Sequence, residues 1–217
     1  MHVLTQSSKN RIIRDAIEGA RLYQKYLVAN TFLVVTEDGK SSEVCFNKKD
    51  FAHLLGVRSS LNDLDFYNHC IKGTLTESNI NEQQHYDFGT IRKKIVRIKK
   101  INKIMYANAD TNLILINLHT NTIDFPLAIE SPKDKMVIAF TGNDNHARSL
   151  RNNNQTNSDE KKQIIAIFSK KRNAKERYTQ LIYLKDYRIL KDIYKDFDEN
   201  ISVHLLNEYE KYSEKKL

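Results

Sequence analysis

The sequence predicts a single α+β domain over residues 1–217, in which helices cover an antiparallel sheet of about four to six strands. Two observations support this class. Short runs rich in Val, Ile and Phe, bounded by turn residues, follow one another without a long intervening helix. Apolar residues at three- and four-residue spacing mark helices near both ends of the chain. Consecutive strands without helical crossovers pair antiparallel. The helices are expected to pack against the resulting sheet.

The first predicted unit is a helix followed by a hairpin. Apolar residues recur at helical spacing over residues 10–28, which predicts an amphipathic helix there. Residues 31–36 and 42–47 are strand-like and flank a turn that contains Asp38 and Gly39. An Asp-Gly pair favours a tight hairpin because glycine accepts a positive φ at no steric cost.

Short helices are predicted between residues 50 and 80. Asp50 is a candidate N-cap for the first of them, which Gly56 ends. The second covers residues 64–71 and ends before Gly73 in the same way.

Residues 90–107 combine an apolar face with a basic face. At helical spacing, the isoleucines fall on one side and the cations on the other, which predicts an amphipathic basic helix. The β-branched content also fits a pair of strands. The basic face is a candidate nucleic-acid contact or simply a solvated surface. Its candidate contact residues are Arg92, Lys93, Arg97 and Lys100.

The remaining chain predicts more strands and a closing helix. The expected strands cover residues 112–119, 122–129, 136–140, 163–168 and 181–184. Pro126 has no amide hydrogen to donate, so its strand is expected at a sheet edge or a bulge. Residues 187–212 show helical periodicity and are predicted to close the domain as one or two helices.

Charge and cysteine content narrow the function classes. The chain carries 35 Lys and Arg against 27 Asp and Glu, a net charge of +8, which favours polyanionic partners or simply aids solubility. Its two cysteines form no CxxC pair, and neither a zinc-type cluster nor a carboxylate cluster for metal catalysis is found. No run approaches the roughly 18 apolar residues of a membrane span. These features indicate a cytoplasmic protein with no metal or cofactor and no membrane contact.

The stretch from residue 136 to 184 contains most candidate site residues. It is interpreted as three short strands separated by two polar, cation-rich connections. The first connection contains His146, Arg148 and Ser149. The second contains the cations Lys170, Lys171 and Arg172, and then Tyr178. Such residue types at strand ends are typical of an acid/base site acting on a phosphodiester. A solvated basic loop would have the same composition.

Three segments, in order along the chain, carry a resemblance to a known family. They are DFAHLLG at 50–56 followed by FY at 66–67 and IKGTL at 71–75, VIAF at 137–140 leading to RSL at 148–150, and IIAIFSK at 164–170 with Tyr178 beyond it. They resemble the fourth phage-associated family of barnase, EndoU, colicin E5/D and RelE-like nucleases, the PBECR4-type domain. The likeness spans about residues 31–185 and leaves 186–217 as a C-terminal helical extension.

The resemblance implies a metal-independent ribonuclease in which the RNA 2′-hydroxyl attacks the adjacent phosphorus. Its base or acid would be His53, with His146 as a second candidate. Arg148 and Lys170 would contact the phosphate, and the Ser149 hydroxyl would orient a phosphate oxygen. Tyr178 would donate a hydrogen bond or stack on a base, and Lys171 and Arg172 would add nucleic-acid contacts. Each residue also has a structural interpretation, as a surface cation, a cap or half-buried packing.

Two classes of function therefore stay open. The first is a toxin-like or phage-conflict endoribonuclease whose partners would be RNA and an antitoxin or inhibitor protein. The second is a non-enzymatic basic module that binds nucleic acid or protein. A hydrolase or transferase for small nucleotides has less support, because the six glycines form no phosphate-binding loop. The sequence gives no indication of oligomeric state.

Overall fold

The computed structural model describes residues 1–106, 112–155, 157–175, 177–185 and Leu205. Within these residues there are ten strands and five α-helices. The helices are α1 (Gln6–Tyr23), α2 (Phe51–Leu55), α3 (Asp63–Lys72), α4 (Phe88–Ile98) and α5 (Ile101–Met105). The strands are β1 (His2–Val3), β2 (Asn30–Thr36), β3 (Ser41–Cys45), β4 (Gln83–Gln84), β5 (Leu113–His119), β6 (Phe125–Ser131), β7 (Met136–Thr141), β8 (His146–Arg151), β9 (Asn157–Lys171) and β10 (Gln180–Leu184).

The main sheet has eight strands in the order β10-β9-β2-β3-β8-β7-β6-β5, and β1 and β4 form a separate two-stranded ribbon. The strand β9 pairs twice. Its residues 157–163 pair with β5 and its residues 164–171 pair with β2, so the strand pairings from β9 through β2, β3, β8, β7, β6 and β5 form a closed ring. The junction of β3 and β8 is parallel, through Cys45 and His146, and the other pairs of this sheet are antiparallel. The α+β class is confirmed.

The expected number of strands, four to six, was too low. One missed strand is β8, which the sequence presents as a polar connection because cations and His occupy half of its six positions. Another underestimated strand is β9, whose first residues, 157–163, are polar and mostly exposed. Strands that lie open to solvent lack the apolar alternation by which a strand is recognised in a sequence.

The helix α1 begins four residues before the expected start. The hydroxyl of Thr5 accepts a hydrogen bond from the amide of Ser8 at 3.2 Å and so caps the helix, while the first turn carries no apolar residue that would reveal it. The apolar stripe of Ile12, Ala16 and Tyr23 is buried, and a single π-helical turn, Gln24–Val28, leads into β2. The predicted helix and the following hairpin are therefore confirmed.

The short helices α2 and α3 are also confirmed, with one correction. Gly56 and Gly73 end them with φ values of 70° and 71°, which side-chain-bearing residues adopt only with strain. Asp50, however, makes no side-chain cap hydrogen bond to α2. Its carboxylate is directed instead to β8, so the predicted capping role was wrong.

The basic segment is helical, and the alternative of two strands was wrong. It forms α4 and α5 with a break at Lys99 and Lys100. The side chain of Asp87 caps α4 by accepting a hydrogen bond from the amide of Thr90 at 2.9 Å. The isoleucines of both helices are buried, and the cations Arg92, Lys93, Lys100 and Lys103 are exposed.

The helices pack on one face of the sheet and form a single large core. Its centre is aromatic, with the ring of Tyr23 within 6.4 Å of the rings of Phe46, Phe51 and Tyr67, measured between centroids. This packing holds α2 and α3 beside the end of β3. It therefore fixes the position of His53, which α2 carries.

Two expectations for the second half have a different outcome. The strand that contains Pro126 is not at an edge, since β6 lies between β5 and β7. Pro126 itself is paired with no residue of either neighbouring strand, and Asn117, opposite it on β5, has a φ of 48°. The predicted C-terminal helix lies outside the described residues, except that Leu205 is buried against Leu33 and Phe168. None of the described helices is both long and apolar enough to cross a membrane.

Candidate functional site

The candidate site lies where β8 begins beside the end of β3. Cys45 and His146 pair in the parallel register, and the amide of Cys45 donates to the carbonyl of Asn145 at 3.1 Å. The side-chain amide of Asn145 donates in turn to the carbonyl of Glu43 at 3.1 Å. This junction joins segments about a hundred residues apart and places the first residues of β8 next to α2.

A β-bulge directs Arg148 toward α2. The register of β7 and β8 shifts so that Ala139 faces Ser149 while Phe140 faces Ala147, which leaves Arg148 as the extra residue. Bulges turn a side chain out of the regular alternation of a strand. The guanidinium Nη1 of Arg148 donates to Oδ1 of Asp50 at 2.9 Å.

Asp50 is the buried centre of this arrangement. Its side chain is 1 % exposed, and its Oδ2 accepts no hydrogen bond from the described residues. The Nε2 of His146 lies 3.7 Å from that oxygen. A buried carboxylate needs compensating positive charge, which the guanidinium of Arg148 supplies.

His146 lies between two carboxylates. Its Nδ1 is 2.8 Å from Oδ1 of Asp144, and this hydrogen bond is the main reason that the pKa of Asp144 is lowered. The Nδ1 contact fixes the plane of the ring and leaves Nε2 facing Asp50. The side chain is 18 % exposed, so part of the imidazole is open to solvent.

His53 is close to the same group of charges. The imidazole is exposed on α2, and the protein around it lowers its pKa, first by partial desolvation and then through the positive charges of Arg148 and Lys94, against the opposing effect of Asp50. The charge of Arg148 thus acts on His53, although no hydrogen bond or ion pair joins the two side chains among the described residues. The sequence hypothesis also places Lys170 at this point. An imidazole with a lowered pKa is neutral at neutral pH and can accept a proton.

Lys94 is a site residue that the sequence analysis missed. Its Nζ donates to the carbonyl of Leu150 at 3.0 Å and lies 5.3 Å from the centroid of the Tyr86 ring. Burial, with the positive charges of Arg151 and Arg97, lowers its pKa to about 8. Lys94 lies three residues after Ile91 and therefore on the apolar side of α4. A lysine at such a position is expected to be partly buried, and the sequence contains this signal.

Ser149 is adjacent to Arg148 in sequence but has a different environment. Its Oγ accepts a hydrogen bond from Nε of Arg151 at 3.1 Å, and Arg151 also donates to Thr122 at 3.0 Å. The hydroxyl is mostly buried, with the residue 8 % exposed. Ser149 is therefore engaged by Arg151 of the same strand, and no hydrogen bond joins it to Asp50 among the described residues.

Lys170 and Tyr178 form a second cluster with Glu43. The Tyr178 hydroxyl donates to the Glu43 carboxylate, and burial, followed by this hydrogen bond, raises the pKa of Tyr178. The Nζ of Lys170 lies 3.8 Å from the same carboxylate and 4.7 Å from the centroid of the Tyr178 ring. In the described part of the chain, no hydrogen bond or ion pair joins this cluster to Arg148 or His53.

The predicted nucleic-acid contacts fall into three groups. Arg92, Lys93 and Lys100 are exposed along α4 and at its end, whereas Arg97 is half-buried and burial lowers its pKa. Lys171 is exposed at the end of β9. Arg172 is fixed by hydrogen bonds from its guanidinium to the carbonyl of Phe46 at 2.7 Å and to the side chain of Asn47.

The described residues offer acid/base groups and cations at this junction. They contain no group of three or more His, Cys, Asp or Glu side chains arranged to hold a metal ion. The two imidazoles can exchange protons, and the guanidinium of Arg148 can stabilise negative charge on a bound phosphate. Asp144 orients the His146 ring, and the positive charge of Lys94 helps to lower the pKa of His53.

Comparison with known proteins was made on the whole chain. A family model described as "phage-Barnase-EndoU-ColicinE5/D-RelE like nuclease4" matches residues 17–186, more than three quarters of the sequence. The match therefore includes the last seven residues of α1 as well as the hairpin, α2 and the strands of the site. No curated protein and no solved structure matches the chain.

Proposed function

Because this chain belongs to the phage-Barnase-EndoU-ColicinE5/D-RelE like nuclease family, we propose that it is a metal-independent endoribonuclease that cleaves RNA by 2′-hydroxyl transesterification. Membership of the family makes it a nuclease domain. The observation that supports the finer proposal is the convergence of His53, His146 and Arg148 around the buried Asp50. That set contains the two proton-transfer groups and the cation that this reaction needs.

The reaction exchanges one phosphorus–oxygen bond for another. The base removes the proton of the RNA 2′-hydroxyl, and the 2′-oxygen forms a bond to the adjacent phosphorus. The bond from phosphorus to the 5′-oxygen breaks, and the acid protonates that oxygen. The products are a 2′,3′-cyclic phosphate and a free 5′-hydroxyl, and a cation stabilises the additional negative charge in between.

His53 is proposed as the base. Its lowered pKa keeps the imidazole neutral near neutral pH, and its exposure on α2 gives a substrate hydroxyl access to it. His146 is proposed as the acid, with its ring held by Asp144. Microscopic reversibility lets these two residues exchange roles when the cyclic product is hydrolysed.

Arg148 is proposed to bind the scissile phosphate. Only one of its guanidinium donors is bonded to Asp50, and the side chain is 42 % exposed, so other N–H groups face solvent. The bulge and Asp50 hold the guanidinium in place before substrate binds. Fixed donors of this kind stabilise a developing phosphorane because they need no reorganisation during the reaction.

The biological role that fits this chemistry is a toxin-like or phage-conflict effector that cuts cellular RNA in the cytoplasm. The net charge of +8 supports attraction to RNA. A nuclease that acts on the RNA of its own cell needs a partner that restrains it, so an inhibitor or antitoxin protein is part of the proposal.

A second candidate is a non-enzymatic nucleic-acid or protein-binding module. It is favoured by the exposed cations Arg92 and Lys93, which lie on α4 with no contact to the histidines among the described residues. In that case, replacing His53 would change binding modestly and there would be no turnover to lose.

Incubation of the purified protein with RNA in the presence of EDTA tests the proposal. We expect fragments with 2′,3′-cyclic phosphate ends, and no cleavage of a 2′-deoxy substrate. His53→Ala and Arg148→Ala should each reduce turnover by at least about a hundredfold, with His69→Ala as the matched control on α3. Loss of cleavage in EDTA, or equal cleavage of DNA, would contradict the mechanism.

A further inference from the structure

A cleft of about 520 Å³ opens beside the candidate site, at the same end of the sheet. We name it the Arg172 cleft, and its walls come from the π-helical turn after α1, the segment between β3 and α2, the first turn of α3, and the end of β9. Its lining side chains include Gln24, Asn47, Lys48, Lys49, Leu64 and Arg172.

The polar groups of the cleft are mostly donors. The Oε1 of Gln24 accepts a hydrogen bond from the Tyr67 hydroxyl at 3.2 Å, and the Oδ1 of Asn47 accepts one from Arg172. These contacts use the amide oxygens and leave the two NH₂ groups as donors. With the nearby cations, they favour a ligand that is rich in acceptors.

The cations of the cleft are both fixed and free. Arg172 is held by the carbonyl of Phe46 and the side chain of Asn47, so its guanidinium is oriented before a ligand binds. Lys48 and Lys49 are exposed, and neither has an ion-pair partner in the part of the chain that the structure describes. An anion would therefore meet three positive charges, none of which forms an ion pair among the described residues.

One wall of the cleft is apolar. Leu64, at the start of α3, is 47 % exposed, which is unusual for a leucine on a charged surface. Val28 is buried behind it. A donor-rich, cationic cleft with an apolar wall matches a nucleotide, whose phosphate accepts hydrogen bonds and whose base has an apolar face.

The cleft is connected to the candidate site through two short routes. Lys48 and Lys49 immediately precede Asp50 in sequence. The guanidinium of Arg172 lies 3.7 Å from Sγ of Cys45, and that thiol donates to the carbonyl of Asp144, whose carboxylate holds His146. The cleft and the imidazoles are thus neighbouring parts of one region, joined by adjacent residues and by contacts through Cys45.

We propose that the Arg172 cleft binds the RNA nucleotide next to the scissile phosphate, with Lys48, Lys49 and Arg172 on its phosphate and Leu64 against its base or ribose. This inference rests on the proposed ribonuclease function and identifies where the substrate is held. It assigns the cleft to RNA and not to an acidic protein, because the apolar wall and the connection to the imidazoles suit a nucleotide.

The test is binding of a fluorescein-labelled 2′-O-methyl RNA oligonucleotide, which has no 2′-hydroxyl to react. The Lys48→Gln/Lys49→Gln variant is compared with Lys133→Gln/Lys135→Gln, which removes the same charge from exposed positions. The control residues lie in the turn before β7, at the end of β7 and β8 that is remote from the candidate site. We expect the cleft variant to weaken binding about tenfold at low salt and to reduce the salt slope by about 1.4, and the control to change affinity by less than about twofold. Leu64→Ala should weaken binding without changing the salt slope.

Each outcome of this test decides the proposal. An equal loss of affinity in the two double variants, or no binding by the wild-type protein, overturns it. Displacement of the oligonucleotide by polyglutamate at matched charge also overturns it, in favour of an acidic protein as occupant. If binding depends on the cleft but natural RNA is not cleaved, the cleft is supported as an RNA-binding site and the proposed ribonuclease reaction is not. Failure of the cleft proposal can therefore be distinguished from failure of the proposed function.

Discussion

Replacement of Arg148 by alanine is expected to destabilise the fold as well as abolish activity. The substitution removes a charge-assisted hydrogen bond of 2.9 Å and leaves the carboxylate of Asp50, which is 1 % exposed, with the imidazole of His146 at 3.7 Å. Loss of one partner from a buried ion pair costs about 3–5 kcal/mol. Because the arginine end of this pair is 42 % exposed, water replaces part of the interaction, and we expect about 2–3 kcal/mol.

Urea denaturation at neutral pH measures this loss, and Arg151→Ala is the matched control. Arg151 lies on the same strand but donates to the hydroxyls of Ser149 and Thr122, so its loss should cost about 1 kcal/mol. In a double-mutant cycle, Asp50→Asn combined with Arg148→Ala should be less destabilised than the sum of the two single variants. A cost for Arg148→Ala no larger than for Arg151→Ala, or strict additivity in the cycle, would refute the reasoning.

Three further predictions concern His53, the ion pair of Asp38 with Lys162, and Gly56. In an NMR titration, His53 should titrate below its ordinary pKa, and Lys94→Gln should raise that pKa by removing a nearby positive charge; no upward change would contradict the placement of Lys94. The hydrogen bond from Lys162 lowers the pKa of Asp38 to about 2. This pair should therefore add to the free energy of unfolding above about pH 4, and the contribution should be lost as the pH falls toward 2. Lys162→Met should reduce this pH dependence of the free energy of unfolding by less than about 1 kcal/mol. Gly56→Ala should lower the free energy of unfolding by about 1 kcal/mol or more, because φ is 70° and a Cβ would lie 2.9 Å from Cδ of Lys94; unchanged stability would contradict it.

Local signals in the sequence were sufficient for the elements that have them. Helix α1 has an apolar stripe, the first hairpin has Asp38 and Gly39, and α2 and α3 end at glycines with positive φ. The strand β8 has no such signal. Its His and Arg residues face a site built by other segments, so their spacing carries no apolar period.

The sequence singled out residues of this junction but not their partners. His53 was expected to meet Arg148 and Lys170; the charge of Arg148 contributes to the lowered pKa of His53, whereas Lys170 lies beside Glu43 and Tyr178. The carboxylate that organises them was interpreted as a helix cap, because Asp before a short helix is a strong local signal and a contact across 98 residues leaves none. The bulge that directs Arg148 to Asp50 is likewise set by the pairing of β7 with β8, which no single stretch of sequence contains.

The segment from Asn47 to His53 places several parts of the proposed site next to one another in sequence. Within seven residues it supplies a donor and two cations to the Arg172 cleft, then the buried carboxylate that holds Arg148, and then the proposed base. Asp50 makes these parts interdependent, since its burial requires the positive charges that the reaction also uses. A variant that neutralises Asp50 would relieve the cost of its burial and release Arg148 at the same time. Stability and activity should therefore respond differently at this one position, which separates a residue that positions the site from one that only supports the fold.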